Sequence, residues 1–326
     1  MKRVTIYSIA RELGISASTV SRAFSRPELV KASVREEVLA KAQEVGYVPN
    51  RAARGLATGR TGFYGLTVPD ITNPFFPPLV RAVQHAAADH DAEVVLIDSE
   101  RSATAEEDLV SRIRPQVDGL IIASPRLPTT RLRSILSGVP SVVVNRSVRG
   151  VPSVVCDNTL ALQEAADHLS DLGHERLALV RGPGGSWAAD RRAEAVRNWA
   201  QQEGFDLVEV GPLEAQFRDG RAAAADLIAS GATAIIAFDD LMAAGIIAGL
   251  NDAGERVPQD RSIVGCDDVL LAQTMTPALT TVTAPMVDLG TQAVALLNRI
   301  IAGERPRSIT LTGELQRRGT VAAPPA

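Results

Sequence analysis

Cysteine and histidine are both scarce in this 326-residue chain, with two of the first and four of the second. Cys156 and Cys266 sit in apolar, strand-like runs without the short spacing of metal ligands, which fits reduced, buried thiols and excludes a disulfide-stapled scaffold. His85 and His90 lie on or just after a surface helix, His168 and His174 belong to a helix and its exit turn, and no metal is expected on them. No stretch approaches the roughly 20 apolar residues of a membrane span, and the first residues lack the apolar run of a secretion signal. A cytoplasmic protein without membrane contact is expected. Gly182-Pro-Gly-Gly-Ser186 follows a strand but has neither the Gly-x-Gly-x-x-Gly register nor a Gly-Lys-Ser/Thr ending, so a nucleotide enzyme is disfavoured. No cofactor, no catalytic constellation and no enzymatic activity are expected.

Charge, by contrast, is strongly polarised. Residues 1–60 hold eleven Lys or Arg against five Glu, a net of +6, so the remainder carries −10 to reach the overall −4. A basic head on an acidic body is the electrostatic footprint of a protein that meets nucleic acid at one end.

The head also carries a pattern. Ile6, Ile9, Ala10 and Leu13 recur at helical spacing behind Thr5, a plausible N-cap. Gly14 can adopt the left-handed conformation that stops this helix, and Ser16 can cap a second one at once. On that second helix Val20 and Phe24 face the same core, which leaves Ala17, Ser18, Ser21 and Arg22 outward near its N-terminus. This is a helix-turn-helix, and such residues reach base edges in the major groove: Arg22 toward guanine, Ala17 toward a thymine methyl, Ser18 and Ser21 toward bases or phosphates. A third helix is expected over Ser33 to Val45, with Val34, Val38, Leu39, Ala42 and Val45 inward and Ser33-Val-Arg-Glu36 as a capping box. Beyond it, Arg51-Ala-Ala-Arg-Gly-Leu-Ala57 is too short to persist as a helix alone, yet Arg51, Arg54 and Arg60 around apolar Leu56 suit a minor-groove wedge that orders on DNA.

From residue 62 strands and helices alternate. Gly65–Val68, Glu93–Ile97, Gly119–Ala123 and Ser141–Val144 read as strands of one parallel α/β lobe, with helices over 79–89 and 106–114. Arg176–Val180, Ala234–Ala237 and Ser262–Gly265 read as strands of a second, with helices near 159–171, 190–203, 220–229 and 240–253. Ligands in such sheets bind beyond the carboxyl ends of the strands. The loops there present Asn73, Phe75, Phe76, Ser124, Asn145, Arg146, Ser186, Trp187, Arg192, Asp239 and Asp267, a mixture of aromatic faces and hydroxyl-binding polar groups.

The chain resembles transcriptional regulators of the lactose-repressor (LacI/GalR) family. The resemblance is carried in order by the helix-turn-helix, Val45-Gly-Tyr-Val-Pro-Asn50, Asp70-Ile-Thr-Asn-Pro-Phe-Phe76, His168-Leu-x4-Gly-His174, Gly265-Cys-Asp-Asp268 and Pro277-Ala-Leu-Thr-Thr-Val282. It implies a helix-turn-helix domain over 1–49 and a hinge helix with linker over 50–61. A two-lobed periplasmic-binding-protein-like α/β domain with parallel sheets follows over 62–326 (first lobe about 62–158 and 288–317, second about 159–287 and 318–326). It further implies three crossings between lobes, near 158, 287 and 317. Thr5, Ser16, Thr19 and Asn50 fall where the family holds phosphates or the hinge, Ala17, Ser18 and Arg22 where it reads bases, and Leu56 where it enters the operator centre. Arg192 and Asp267 match effector-holding positions, and Asn145 and Asp239 line the same cleft. Lys31, Ser25 and Gly55 depart from the family pattern in the head, as do Asp190, Ala195, Val196 and Ala284 around the cleft.

The function so implied is a homodimeric repressor of a pseudo-palindromic operator, switched by a small molecule, a sugar or sugar derivative before a nucleoside or purine. The last residues, Ala-Ala-Pro-Pro-Ala, hold no leucine heptads for a tetramer. A solute-binding or sensor protein would share the two lobes but not the basic residues 1–60, which argue against it.

Overall fold

The computed structural model describes residues 4–25, 27–47 and 60–325, and the chain divides into two compact units, 1–62 and 63–326. In the first, α1 (Ile6–Leu13) begins with a reciprocal cap: Ser8 N donates to Thr5 Oγ1 at 3.4 Å and Thr5 N to Ser8 Oγ at 2.9 Å. Gly14, at φ 67°, ends α1 in the left-handed region that a side chain would disfavour. Ser16 Oγ then accepts Thr19 N at 3.1 Å and opens α2 (Ala17–Ser25). With α3 (Ala32–Glu44) these helices close a small core of Ile9, Ala10, Val20, Ala23, Val38 and Ala42, edged by a Phe24–Tyr47 ring contact at 5.7 Å.

Three expectations for this unit are corrected. Helix α3 starts at Ala32 behind Lys31, which offers no side-chain cap, so Ser33 and Glu36 lie inside the helix and form no capping box there. Leu39 is exposed, because Val34, Val38, Ala42 and Val45 already occupy the stripe that a three-helix core can cover and Leu39 lies about 100° around from Val38. Ala17 is half-buried against the core and does not stand fully outward.

The second unit holds two six-stranded sheets. The first lobe runs β1 (Phe63–Val68), α4 (Phe76–Ala88), β2 (Glu93–Asp98), α5 (Ala103–Ile113), β3 (Gly119–Ala123), α6 (Thr129–Leu136), β4 (Ser141–Val144) and β5 (Ser153–Asp157). The second runs α7 (Thr159–Asp171), β6 (Arg176–Val180), α8 (Trp187–Glu203), β7 (Asp206–Val210), α9 (Phe217–Ser230), β8 (Ala234–Ala237), α10 (Asp240–Asp252), β9 (Ser262–Asp267), α11 (Leu270–Thr274) and β10 (Thr280–Thr283). The chain then returns to the first lobe as α12 (Met286–Ile301) and β11 (Ile309–Thr312), and leaves again as β12 (Leu315–Gln316). The strand orders are β11-β5-β4-β3-β1-β2 and β12-β10-β9-β8-β6-β7; pairing is parallel throughout except between β10 and β12.

The third crossing therefore falls at Gly313–Glu314, a few residues before the expected 317, since Leu315 already pairs with Val282 in the second sheet. Several helices also begin a turn earlier than their apolar periodicity suggests. Pro77 and Pro78 occupy the first turn of α4, and Ser102 and Ser186 cap α5 and α8 by accepting Ala105 N and Ala189 N. Helix α12 completes the first core: Leu289, Ala293, Val294, Leu296 and Leu297 are buried with Leu66, Leu79, Val83 and Ile121.

One buried carboxylate ties the second lobe together. Asp240 Oδ1 accepts Thr281 Oγ1 at 2.5 Å from β10, and Oδ2 accepts Val269 N at 2.9 Å from the loop after β9. The carboxylate occupies the space where a side chain on residue 265 would stand, 2.2 Å from a Cβ built on Gly265. Burial, reinforced by the charge of Asp267, pushes Asp240 up to about 8. A carboxyl raised in the folded state binds protons more tightly there than when unfolded, so its contribution is fully present below the ordinary value near 3.8 and is lost as pH rises through about 8. Asp240→Asn is expected to flatten the fall in melting temperature between pH 4 and 8; an unchanged slope would show that Asp240 does not govern it. In the small unit, Ile9→Ala is expected to cost about 2–5 kcal/mol, read as lost amide protection across α1 to α3 with residues 63–325 unaffected.

Candidate functional site

The carboxyl ends of the strands in the two lobes face one another across a cleft lined by Asn73, Phe75, Phe76, Ser124, Asn145, Arg192, Asp239 and Asp267, together with Pro69, Asp70, Arg101, Arg126, Ser186 and Phe238. At its centre the Arg192 guanidinium, on α8, donates from Nη2 to Asp267 Oδ1 at 2.5 Å and from Nη1 to the Phe238 carbonyl at 2.6 Å. It also lies over the Phe238 ring, 4.9 Å from its centroid. Burial opposes this charge, but the adjacent Asp267 carboxylate outweighs it and holds the Arg192 pKa above the ordinary value. Burial raises Asp267 in turn to about 6, with Arg192 acting against the rise, so the pair is ionised at neutral pH.

Asp239 sits at the N-cap of α10, where its Oδ1 accepts Met242 N at 2.8 Å. Its Oδ2 accepts Asn73 Nδ2 of the first lobe at 3.0 Å, while Asn73 Oδ1 takes Phe75 N at 3.0 Å, so one amide joins the lobes and shapes its own loop. Desolvation raises the Asp239 pKa. On the opposite wall Asn145 Nδ2 donates to Ser124 Oγ at 3.2 Å. Ser124 (φ 46°), Asn145 (φ 57°) and Asp267 (φ 109°) all hold left-handed backbone at strand ends, a strain that concentrates where side chains must be aimed.

Phe75 and Phe76 do double duty. Both are 5% exposed, meet edge-on at 5.0 Å between ring centroids, and pack in the first-lobe core while lining the cleft. The cavity among all these side chains is small, about 50 Å³. A larger cavity of about 320 Å³ adjoins it through Asn145, Ala188 and Arg192 and is lined by Trp187, Arg191, Asp157, Asn158 and Cys156.

The structure thus brings nine of the eleven expected cleft residues to one cavity and sets two apart. Trp187 lines the adjoining cavity. Arg146 turns away and donates to the carbonyls of Pro125 at 2.9 Å and Leu127 at 2.7 Å and to Thr129 Oγ1 at 3.0 Å, supporting the loop after β3. Asp70, Arg101, Arg126 and Phe238 were missed. Asp70 and Phe238 stood in plain view at the ends of β1 and β8; Arg101 and Arg126 reach the cleft only through loop geometry that periodicity does not record.

In the small unit, Ser18 and Arg22 are exposed, Thr19 and Ser21 half-buried, and Ser16 Oγ lies 2.7 Å from Ser18 Oγ and 2.8 Å from Thr19 Oγ1, a cluster of hydroxyls at the N-terminus of α2. Thr5 is exposed at the start of α1. Asn50, Arg51, Arg54 and Leu56 lie outside the described residues.

The side chains lining the cleft among the described residues include no histidine, cysteine or lysine, and no group of three His, Cys, Asp or Glu suited to a metal occurs among the described residues. Paired carboxylates and guanidiniums beside aromatic faces suit reversible binding of a hydroxylated molecule. His174 is structural: Nδ1 lies 2.8 Å from Thr233 Oγ1 and Nε2 3.0 Å from both Ser262 Oγ and the Ala322 carbonyl, and burial lowers its pKa. Cys156 and Cys266 are free thiols flanking Asn158, and burial pushes Cys156 up to about 12.

Comparison with known proteins agrees with these features. Residues 5–50 match the model of bacterial regulatory proteins of the lacI family, and residues 166–321 that of a periplasmic binding protein-like domain. Catabolite control protein A of Streptococcus mutans is 32% identical over 97% of this chain and 98% of its own length. The ribose operon repressor of Halalkalibacterium halodurans is 31% identical over 90% of this chain and 89% of its own. Among solved structures, the lac repressor dimer bound to operator and the anti-inducer ONPF aligns over 99% of this chain and 100% of that one, with a TM-score of 0.89 and 28% identity. A basic helix-turn-helix joined to a two-lobed ligand cleft, with this similarity along nearly the whole chain, makes the protein a member of the LacI family, a ligand-responsive DNA-binding transcriptional regulator and not an enzyme.

Proposed function

We propose that the protein represses transcription as a homodimer on a pseudo-palindromic operator and that a sugar or sugar derivative, bound between its lobes, controls this binding. The convergence of Asn73, Ser124, Asn145, Asp239 and Asp267 from strand ends of both lobes, and of Arg192 from α8, on one cavity carries the reading. Ribose is bound by a LacI family regulator of Enterococcus faecium and cellobiose by the transcriptional regulator CelR, both of similar fold, and the lac repressor is seen as a dimer on its operator. No helix among the described residues is long and apolar enough to cross a membrane, and a repressor works where the DNA is, in the cytoplasm.

In this reading the second helix of each head enters a major groove, with Arg22, Ser18, Ser21 and Ala17 toward bases and Thr5, Ser16 and Thr19 on phosphates. Residues 1–49 form the DNA-binding domain and 50–61 the hinge, where Asn50, Arg51 and Arg54 hold phosphates and Leu56 wedges the minor groove. The remainder binds effector. The cleft cavity is small, about 50 Å³, and the Asn73–Asp239 bond crosses it, so in this reading a sugar enters as such cross-lobe contacts part. Effector binding is thereby coupled to the spacing of the lobes.

Arg22→Ala is expected to relax base preference at one operator position, at a cost of about 1–3 kcal/mol in discrimination. Selection of binding sites from random duplex DNA checks this; an unaltered consensus removes Arg22 from readout. Arg192→Ala and Asp267→Ala should bind operator as before but no longer respond to the sugar that shifts the melting temperature of the parent protein. A normal response from both would place the effector elsewhere.

A further inference from the structure

Three guanidiniums line the cleft among the described residues, and they are not equivalent. Arg192 is paired with Asp267 and Arg101 with Asp70, and both of these carboxylates line the same cavity, so each charge is answered inside it. Arg126 differs. Its partner Glu214 reaches it from the loop after β7 in the other lobe, is 43% exposed, and is not among the side chains lining the cavity. Both contacts, at 3.0 and 3.2 Å, leave from the single nitrogen Nη1, so this carboxylate does not close the guanidinium fork.

The loop that carries Arg126 is built at evident cost. Glu106 on α5 is 3% exposed, and its Oε2 accepts Arg126 N at 2.9 Å and Leu127 N at 3.2 Å. Arg146 approaches from the other side and donates to the carbonyls of Pro125 and Leu127. Burial raises the Glu106 pKa even against these amide donors and the charges of Arg146 and Arg126. A desolvated carboxylate and a guanidinium are thus both spent on a short segment that begins at left-handed Ser124. Neither touches the cavity; together they hold Arg126 at its wall.

We propose that the effector is an anionic sugar, a hydroxylated ring bearing a carboxylate or phosphate, and that its anionic group displaces Glu214 from Arg126. This rests on the carbohydrate reading of the cleft given above. The ring hydroxyls occupy Arg192, Asp267, Asp239 and Asn73, and the anionic group closes the fork that Glu214 leaves open, while Glu214 swings into solvent. Glu106 and Arg146 act as positioning residues for this contact.

The test is calorimetric titration of full-length protein with neutral sugars (glucose, ribose, galactose), their phosphates (glucose 6-phosphate, ribose 5-phosphate) and sugar acids (glucuronate, galacturonate). Anionic sugars should bind more tightly than their neutral counterparts, with the phosphate and carboxylate arms showing which group is preferred. Arg126→Gln should weaken the anionic sugars by about tenfold or more, as loss of a charge-assisted bond predicts, and leave any neutral sugar within about twofold. Arg126→Lys should restore part of the preference, which separates lost charge from lost fold. Glu214→Gln should tighten anionic sugars selectively. If Glu214→Gln or Arg126→Gln changes neutral and anionic sugars alike, the pair is a latch between lobes and the proposal is overturned. Neutral sugars binding as well as charged ones would also overturn it, with the carbohydrate cleft left intact. Binding of no sugar of either kind would remove the carbohydrate reading itself and this inference with it.

Discussion

Everything in the ligand-binding unit turns on one buried cation. Asp239 and Asp267 stand at the adjoining ends of β8 and β9, each at most 4% exposed, and two carboxylates so placed would repel one another in a medium that screens poorly. Arg192 answers them. Its two terminal nitrogens are committed to Asp267 and to the Phe238 carbonyl, and its face is covered by the Phe238 ring, so the charge is held in one orientation. The arrangement is poor value as stability, since desolvating such a pair costs about as much as the attraction returns. It makes sense as a preorganised site that meets hydroxyls or charge without having to rearrange.

The lobes are joined around that cation by contacts of graded strength. Three chain crossings, at Asn158, between β10 and α12, and at Gly313–Glu314, make the covalent hinge. Asn73–Asp239 adds a buried hydrogen bond and Arg126–Glu214 a partly exposed ion pair. The last is the weakest in water and the easiest to exchange. A cleft that must both exclude solvent and admit a ligand needs such a gradient: tight at the buried Asn73–Asp239 bond, loose at the partly exposed ion pair.

Much of this was legible in the chain. The helix-turn-helix followed from Thr5, Gly14 and Ser16, because capping and left-handed turns are local chemistry confined to a few neighbouring residues. The parallel sheets followed from β-branched runs such as Leu120–Ala123, which are buried on both faces and so carry no alternation to confuse the reading. The short edge elements did not follow. Strand β11 alternates between half-buried and exposed residues, β7 is largely uncovered, and their identity as strands comes from neighbours far along the chain. Arg146 shows the limit most clearly: it lies just past the end of β4, beside Asn145, yet it bonds a loop and leaves the cleft.

Sequence alone therefore determined what local forces decide: which segments form helices and buried strands, to within about a turn at the helix starts, that the head is basic and the body acidic, and which family the motifs compose. Tertiary structure decided which polar side chains share a cavity. That depends on pairings such as Asn73 with Asp239, Glu106 with the amides of 126 and 127, and Arg192 with Asp267, separated by 166, 20 and 75 positions. No periodicity links such partners. Their meeting follows from strand order and loop geometry, which only the folded chain supplies.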